Sequence, residues 1–592
     1  MNAPCVTYVD NIDGGAVAQE WLEANTGRLA FDTEATGLDV FVDDFEVGVV
    51  AFGHRNGNAL VLNGRDHALV RTVVIAAFRN RKVWAHQANV DSWAVRKVYA
   101  LKLTSLRCSL IGSRAAWPGR TSYLLKDLRG TTQDAQDALK VLWSERVGRK
   151  VAGRTWLAEA VRVLPANTSA LVAYVAEDVV EAARLVYELS KIDDPGTRQG
   201  ILNEVDADIL WRWVGYDGLR YDAERAEKVY SERKVLLKKE ILHFGFNPTT
   251  NSNARKEWVA AHGIELPLNR KTGKPSLAKD ARARIVPPEA SREEWNRLAR
   301  ACDEAFLLTK LSEMTRNGDG RYVHPTINTH AAKTGRMSVA EPALQNLAGG
   351  LGEDDTSLRG LLLAREGKVL VGCDLNHVEP SILAAVSGDP LLIKHCAPGM
   401  DVYVEAAAAV FGATARETVK TGLLTEYAAK KRKVMKVVVL ALMYGMGNTS
   451  LAGSLGVSVA EAKNVRSKVL SIYPKVRHWI DQTKKDTERG IVPRTVAGSP
   501  LPCLPHMAYV STNYIIQGSA STIFKTMCKN VAANLPNGAS LWLPIHDELV
   551  IECDEVVAQE VANVLAAHMR TELNGVLIWG EPEILGTRWR KA

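Results

Sequence analysis

Hydrophobic positions in the first 190 residues form two alternating patterns. Short apolar runs bounded by turn residues predict β-strands at Arg28–Phe31, Val47–Gly53, Ala59–Leu62 and Val83–Ala85. Longer stretches with apolar residues three and four apart predict helices, of which the clearest are His67–Arg79 and Ser169–Leu189. Strands that alternate with helices in this way are typical of a compact α/β domain, which we place at residues 1–190.

The pattern changes after this region. The segment KIDDPGTRQG at residues 191–200 concentrates turn-forming residues and predicts a linker. Residues 201–325 are charge-rich and mostly helical, and beyond them two strand signals, Val369–Cys373 and Leu541–Ile551, flank a long helical stretch. The sequence therefore predicts a second α/β unit whose sheet joins segments far apart in the chain.

Composition and charge narrow the class of protein only slightly. The 592 residues, 46% of them hydrophobic and 24% charged, suffice for several cores and predict roughly two to four domains. The net charge of +7 permits a polyanionic partner without requiring one. Eight scattered cysteines without CxxC spacing argue against a zinc ribbon or a disulfide scaffold, and we therefore expect a protein of the reducing cytosol. We see neither a signal peptide nor an apolar run of about 18 residues that would target or span a membrane.

Two acidic residues, Asp32 and Glu34, follow the first predicted strand closely. Alternate residues of a strand share a face, so both carboxylates can bind one divalent cation, and Mg²⁺ prefers oxygen ligands. The pair alone is weak evidence, because Asp44 and Glu46 repeat the pattern and such pairs are usually solvated.

Three further residues strengthen this candidate site. Asp91 begins a predicted helix, and Tyr174 and Asp178 lie four apart on one face of another. Four carboxylates can form a two-metal site in which one ion generates hydroxide and the other stabilises the leaving oxygen. Tyr174 could orient the attacking water, or could be a half-buried aromatic residue of the helix.

Together these five residues resemble the three motifs of the DEDD exonuclease superfamily, in its tyrosine-bearing branch. The resemblance implies an RNase H-like 3′→5′ exonuclease domain, with two metal ions held by Asp32, Glu34, Asp91 and Asp178. Gln87 and Val90 replace residues that the family commonly carries before the middle Asp. That departure leaves the metal ligands intact, but the way in which the family positions the substrate strand cannot be carried over to this chain.

A second carboxylate pair stands at the two distant strand signals. Val369–Cys373 predicts a buried strand that ends at Asp374, and the segments around 541–551 predict a hairpin with His546, Asp547 and Glu548 at its tip. Acids at such tips are usually only turn residues. One sheet would nevertheless bring Asp374 and Asp547 together, in a two-metal site suited to attack of a primer 3′-hydroxyl on a nucleotide α-phosphate.

A helical stripe lies between these strands. Its members Arg432, Lys436, Leu440 and Tyr444 recur every four residues, so they share one slowly drifting face. Its cations could neutralise a triphosphate, and its aromatic end could pack against a base or sugar. The alternatives are a basic helix end with a buried remainder, or a strand favoured by the three valines at 437–439.

These three segments resemble motifs A, B and C of the family A (DNA polymerase I-like) DNA polymerases, in the family's order. Residues 334–338 with 341–347 resemble the family's TGRLSS…EPNLQN segment, and residues 513–520 its NxxxQGxAA element. The resemblance implies a right-hand polymerase, with a thumb at 200–325, a palm at 326–390 and 506–592, and fingers at 391–505. It leaves no room for the family's 5′-nuclease domain.

The same resemblance assigns roles to individual residues. The polymerase metal ligands would be Asp374, Leu375 and Asp547, with Glu548 beside them. Nucleotide-binding residues would be Arg432, Lys436, Leu440, Tyr444, His377 and Glu379. Glu379 would lie against the sugar C2′ position and exclude ribonucleotides. DNA contacts would come from Arg336, Asn513, Gln517, His546 and the basic thumb residues Lys271 and Lys274.

Four positions depart from the family pattern: Leu440 for an aromatic residue, His377 for Gln, Ser381 for Arg and Tyr509 for Arg. In the family, Tyr at the position of Leu440 permits ready use of dideoxynucleotides. The resemblance therefore implies that this chain rejects them. Other aspects of nucleotide discrimination and minor-groove sensing do not transfer.

We therefore predict a proofreading DNA polymerase that acts on primer-template DNA and dNTPs as a monomer, with two Mg²⁺ ions at each site; Mn²⁺ could substitute. A single-subunit RNA polymerase shares the palm, but Glu379, the HDE triplet and an editing domain argue against it. Intact Asp374 and Asp547 argue against a nuclease or DNA-binding protein with a degenerate palm. Accessory replication proteins are left open. The size and the Ala- and Val-rich composition suggest a bacteriophage protein in a bacterial cytoplasm.

Overall fold

The structure is a computed structural model that describes residues 3–79, 81–129, 134–148, 155–250, 252–268, 273, 275–282, 285, 287–316, 318–347, 358–419 and 422–589. The eight cysteines are all unpaired, as the sequence predicted. None of the helices in these ranges is long and apolar enough to cross a bilayer.

A six-stranded sheet organises the first part of the chain. Its strands are β1 (Cys5–Val9), β2 (Leu29–Ala35), β3 (Val47–Gly53), β4 (Asn58–Asn63), β5 (Val83–Ala85) and β6 (Arg107–Cys108). They lie in the order β1-β4-β3-β2-β5-β6, and β3 is antiparallel to both of its neighbours. The four predicted strands are all present. β2 continues past its predicted end, so Asp32 and Glu34 lie within the strand.

Both faces of this sheet are buried, as the continuous apolar run of β3 predicts. Val50 and Phe52 belong to one core, whereas Val49 and Ala51 belong to the core on the other face. The helices of this region are α1 (Gly15–Ala24), α2 (His67–Arg79), α3 (Ala88–Tyr99), α4 (Ser109–Ala116), α5 (Leu125–Arg129), α6 (Asp134–Val147), α7 (Trp156–Val163) and α8 (Ser169–Ser190). The predicted helices at 67–79 and 169–189 are confirmed.

The predicted linker at 191–200 is wrong over most of its length. Helix α9 (Pro195–Asp217) begins inside it, with Asp194 as N-cap accepting from the Thr197 N–H. Pro and Asp are start signals for helices as well as turn residues, and here the helix prevails. Ile201 and Val205 of α9 pack in the first domain, so this helix is not a passive spacer.

A small separate core follows α9. Phe244, Trp295 and Leu298 lie at its centre. Its helices are α10 (Ala223–Phe244), α11 (Asn253–Ala261), α12 (Lys279–Arg282) and α13 (Arg292–Arg316). Short strands connect it to the rest: β7 (Leu219–Tyr221), β8 (Tyr322–Val323), β9 (Thr326–Asn328), β10 (Ser338–Ala340) and β11 (Leu362–Leu363). This region is mostly helical, as predicted.

A second large sheet joins the distant strand signals. Its strands are β12 (Lys368–Leu375), β13 (Ala539–Ile545), β14 (Glu548–Asp554), β15 (Arg570–Leu573) and β16 (Val576–Gly586). They lie in the order β13-β14-β12-β16-β15, and each pairs antiparallel with its neighbours. The central strand β12 thus pairs with the hairpin, as the sequence predicted.

Helices cover this sheet and fill the chain between its strands. They are α14 (Val378–Ser387), α15 (Pro390–His395), α16 (Val402–Phe411), α17 (Glu426–Met443), α18 (Asn448–Leu455), α19 (Val459–Ile472), α20 (Pro474–Glu488), α21 (Ser511–Ala533) and α22 (Ala558–His568). The valines at 437–439 lie in α17, so the strand alternative is wrong. Packing of Val438 and Val439 in the core outweighs their β propensity.

Candidate active sites

The first sheet brings three of the predicted carboxylates together at the end of β2. Carboxylate oxygens of Asp32, Glu34 and Asp178 all lie within 4.8 Å of one another. Asp32 and Glu34 share a face of β2, and Asp178 comes from α8, which packs across that strand. The second Asp-x-Glu pair is different, because Asp44 and Glu46 form surface contacts with arginines.

Asp91 lies beside this trio but is held differently. Its Oδ1 accepts hydrogen bonds from the Thr33 N–H and the Thr33 hydroxyl, both at 2.9 Å. Thr33 points to the opposite face of β2 from Asp32 and Glu34. Asp91 is 3% exposed and lies in the first turn of α3.

Burial raises the pKa of all four carboxyl groups. Burial is the main cause for Asp32 and Glu34, and the neighbouring carboxylates add to it. Burial likewise raises the pKa of Asp91 to about 7, against the hydrogen bonds from Thr33, and that of Asp178 to about 6. Carboxyl groups packed this closely resist ionisation, and a bound cation would offset the repulsion between their negative charges.

The residues around the trio occupy defined positions. Tyr174 hydrogen-bonds Asp178, one helical turn away on α8. Gln87 precedes α3 with φ of 76°, in the left-handed region, and its side chain does not cap the helix. Its neighbour His86 is fixed by Ser109 Oγ at 3.0 Å and the Tyr123 carbonyl at 2.9 Å.

The second sheet brings the other carboxylates together. Asp374 at the end of β12 lies directly opposite Glu548 at the start of β14. Asp547 belongs to the two-residue turn before β14, where His546 has φ of 56°. The Leu375 N–H donates to the Asp547 carbonyl at 3.2 Å, which ties the turn to the strand end.

Two of these acids differ in environment. Burial, followed by the charge of Asp374, raises the pKa of Asp547 to about 6. Glu548 is a strand residue, so its predicted place at the tip is wrong: the tight turn needs only His546 and Asp547. Its side chain is buried and lies 3.5 Å from the Arg359 guanidinium.

Residues from four motifs meet next to this carboxylate pair. The Arg336 guanidinium forms an ion pair with Glu379, which is 7% exposed. Tyr444, at the end of α17, donates its hydroxyl proton to Glu379 Oε2 at 2.9 Å. Gln517 of α21 hydrogen-bonds the same hydroxyl. Two candidate nucleotide-binding residues, Glu379 and Tyr444, thus form one cluster with two candidate DNA-binding residues, Arg336 and Gln517.

The cationic stripe of α17 contacts two residues at the start of α16 that the sequence did not mark as its partners. Arg432 Nε donates to Asp401 Oδ2 at 2.7 Å, and Asp401 Oδ1 caps the N-terminus of α16. The Tyr403 ring lies 5.8 Å from the Arg432 guanidinium and 5.9 Å from the Lys436 ammonium. Asp401 before an apolar run signals a helix start, but no local signal shows that α16 packs on α17.

The other predicted residues are placed as follows. Leu440 is partly buried against the core one turn before Tyr444, and His377 lines a cavity of about 220 Å³ with Asp401. Asn513 is half-buried on α21, one turn before Gln517. His546 is exposed, yet partial desolvation lowers its pKa. Lys271 and Lys274 lie outside the described residues.

Comparisons with known proteins identify a family and several relatives to which this chain is similar. Residues 292–578 match the family model described as DNA polymerase family A. The DNA polymerase of Mycobacterium phage L5 is 23% identical, covering 96% of this chain and 94% of its own length. That of Mycobacterium phage D29 is 24% identical over 99% of this chain and 96% of its own.

Two further similarities involve cellular enzymes. The thermostable DNA polymerase I of Thermus filiformis is 30% identical over 58% of this chain and 42% of its own length. A solved structure of the POL domain of Pol1 from M. smegmatis, in complex with DNA primer-template and dNTP, superimposes with a TM-score of 0.70. That pair is 21% identical and covers 98% of this chain and 99% of the other, which establishes a shared fold.

Proposed function

We propose, on the premise that this chain carries a family A DNA polymerase domain, that it extends primer 3′ ends on a DNA template and removes mismatched ends itself. The observation that carries the proposal is the presence of two separate carboxylate groups, one on each large sheet. Each group is accompanied by the side chains that its chemistry needs. Relatives in two mycobacteriophages support a phage origin.

We assign one activity to the domain built on each of the two large sheets. Residues 1–190 would be an RNase H-like exonuclease domain, and the second sheet would be the polymerase palm, with fingers at 391–505 and a thumb at 200–325. Helix α9 complicates the boundary at 200, because its first half packs in the first domain and Trp211 packs in the second.

Both sites fit divalent cations. In the first site, carboxylate oxygens of Asp32, Glu34 and Asp178 lie within 4.8 Å of one another. Burial is the main cause that raises the pKa of Asp32 and Glu34. In the second, burial and the charge of Asp374 raise the pKa of Asp547. Two Mg²⁺ ions, when bound, would supply Lewis-acid stabilisation of the attacking and leaving oxygens. Asp374 and Asp547 would hold them for synthesis, with Leu375 beside them, and Asp32, Glu34, Asp91 and Asp178 for editing.

The side chains around the polymerase site then have specific tasks. Lys436 and Arg432 would bind the triphosphate, and Arg432 must leave Asp401 or share its charge with it. Glu379, held by Arg336 and Tyr444, would present a fixed surface to the sugar and exclude a 2′-hydroxyl. Holding this carboxylate rigid matters, because a mobile side chain would give way to the extra oxygen.

Primer-template DNA would occupy the face of the sheet that carries the turn at 546–547. Asn513 and Gln517 lie one turn apart on α21 and His546 lies in the turn, so all three can contact the duplex beside the carboxylates. The solved Pol1 structure is a complex with primer-template and dNTP, which supports the same substrates here. At the first site, Tyr174 would orient the attacking water.

The direct test is primer extension by the purified protein on a primed DNA template, with dNTPs and separately with rNTPs. We expect extension with Mg²⁺ and dNTPs, and strong discrimination against rNTPs. With dNTPs withheld, we expect stepwise shortening of the primer from its 3′ end. Preferential use of rNTPs would instead support a single-subunit RNA polymerase, and shortening without extension a nuclease.

A further inference from the structure

Helix α9 carries a buried charge into the contact between the two halves of the molecule. Glu204 lies on α9, next to Val205, which packs in the first domain. Helix α9 also packs against α21 of the second sheet's region. Its carboxylate is 2.6 Å from the Lys525 ammonium of α21, and the side chains are only 8% and 2% exposed. His330 Nδ1 lies 3.2 Å from the same carboxylate.

The Lys525 ammonium makes a second contact that reaches the polymerase site. It donates to the Gly335 carbonyl at 2.5 Å, and the Ser521 hydroxyl donates to the same oxygen at 2.7 Å. This carbonyl belongs to the planar peptide unit that joins Gly335 to Arg336. Two donors from α21 therefore fix the orientation of the backbone from which the Arg336 side chain extends.

Arg336 is the ion-pair partner of Glu379, and Glu379 accepts from Tyr444. We propose that Lys525, held by Glu204, is a positioning residue that sets Arg336 and thereby the carboxylate that selects the nucleotide sugar. The inference rests on the proposed function, because it concerns the same site. It gives α9 a role in synthesis, although this helix also packs in the first domain.

A purely structural role for the buried pair predicts a different outcome from a positioning role. Removing one partner of a buried ion pair leaves an unpaired charge and destabilises the fold. Neutralising both partners with side chains of similar volume is often close to neutral. If the pair only stabilises the fold, Glu204→Gln combined with Lys525→Met restores normal behaviour. If Lys525 positions the Gly335 carbonyl, the double variant folds but still lacks this donor.

The test measures stability, dNTP and rNTP incorporation, and single-strand exonuclease activity in the full chain. Its variants are Lys525→Met, Glu204→Gln, their double and Ser521→Ala. A matched control is Asp206→Asn with Lys529→Met, since this pair joins the same two helices at 2.7 Å but is more exposed and makes no described contact with Gly335.

We expect the double variant to regain most of the stability lost in Lys525→Met, yet to discriminate against rNTPs about tenfold less well than wild type, the equivalent of about 1.4 kcal/mol. Exonuclease activity should be unchanged, and Ser521→Ala should shift discrimination in the same direction by less. Wild-type discrimination in the double variant, or in Ser521→Ala if the double does not fold, overturns the inference. An equal change in the control pair also overturns it. A wild-type protein that extends no primer counts against the proposed function instead.

Discussion

The Tyr444 hydroxyl donates a hydrogen bond to the Glu379 carboxylate, with 2.9 Å between the oxygens, while the Arg336 guanidinium engages the other carboxylate oxygen. The three residues come from three separate motifs of the sequence. Their contact gives the sugar-facing carboxylate two fixed partners. The selection of deoxynucleotides should therefore depend on the volume of the side chain at position 379 more than on its charge.

Replacing Glu379 by Ala should raise rNTP incorporation relative to dNTP incorporation, because a shorter side chain opens space near C2′. Glu379→Gln is the matched control, since it keeps the volume, its amide oxygen can accept from Arg336 and its NH2 group can donate to the Tyr444 hydroxyl. We expect Glu379→Gln to exclude rNTPs nearly as well as wild type. Steady-state incorporation of single nucleotides checks both variants. An equal loss of all incorporation in Glu379→Ala would show that the residue is only structural.

Leu440→Tyr should relax rejection of dideoxynucleotides by about tenfold or more. A tyrosine hydroxyl can supply the polar contact that a missing 3′-hydroxyl would have made, and one hydrogen bond to a charged group contributes about 1.5–3 kcal/mol. Leu440 is partly buried against the core, so overpacking is the competing outcome. The ratio of ddNTP to dNTP efficiency separates them, because overpacking lowers both alike and leaves the ratio unchanged.

Asp32→Ala with Glu34→Ala should abolish shortening of single strands from the 3′ end and leave synthesis intact, because the two carboxylate groups lie on different sheets. The chain supplies its own control in Asp44→Ala with Glu46→Ala. That pair has the same spacing but contacts surface arginines, so we expect normal editing. Mismatch removal that survives in the first double variant would mean that this domain is not the editor.

Without divalent metal, Asp32→Asn should stabilise the protein. Burial and the neighbouring carboxylates raise the pKa of Asp32 on folding, so the stability that its protonated form contributes is present below the unfolded value of about 4 and is lost as the pH rises through the higher folded value. The variant's advantage in unfolding free energy should therefore grow as the pH rises above about 4, to about 1 kcal/mol or more.

Thermal unfolding in a chelator at several pH values measures this difference. Added Mg²⁺ should reverse it, because wild type gains more from the cation than a variant that lacks one ligand. A wild-type protein that is more stable than Asp32→Asn at high pH in the chelator would contradict the raised pKa of Asp32.

Four of the six strands of the first domain and helices α2 and α8 could be predicted, because each of these elements is marked locally. The apolar run of β3 and the helical spacing of α2 gave bounds that the structure reproduces. The start of α9 was missed because Asp194 and Pro195 favour a turn and a helix start equally well, and burial of Ile201 decides between them. Local sequence carries no information about that burial.

The candidate sites likewise contain features that local sequence predicts and features that depend on tertiary packing. The spacing of Asp32 and Glu34 on β2 fixes a shared face, and the antiparallel pairing of β12 with β14 brings Asp374 to the turn that carries Asp547. The contact of Arg432 with Asp401 was not predicted, because it depends on the packing of two helices. Contacts of this kind depend on tertiary structure, and no regular spacing of residues along the sequence indicates them.

The central claim is that Asp374 and Asp547 perform nucleotide addition, and primer extension by Asp547→Asn tests it most directly. Asp554→Asn on the same hairpin is the control, because its side chain is half-exposed and pairs with Lys368 away from the turn. We predict that Asp547→Asn binds primer-template like wild type, still shortens primers, and adds no nucleotides, whereas Asp554→Asn extends normally. Extension by Asp547→Asn at close to the wild-type rate would contradict the account.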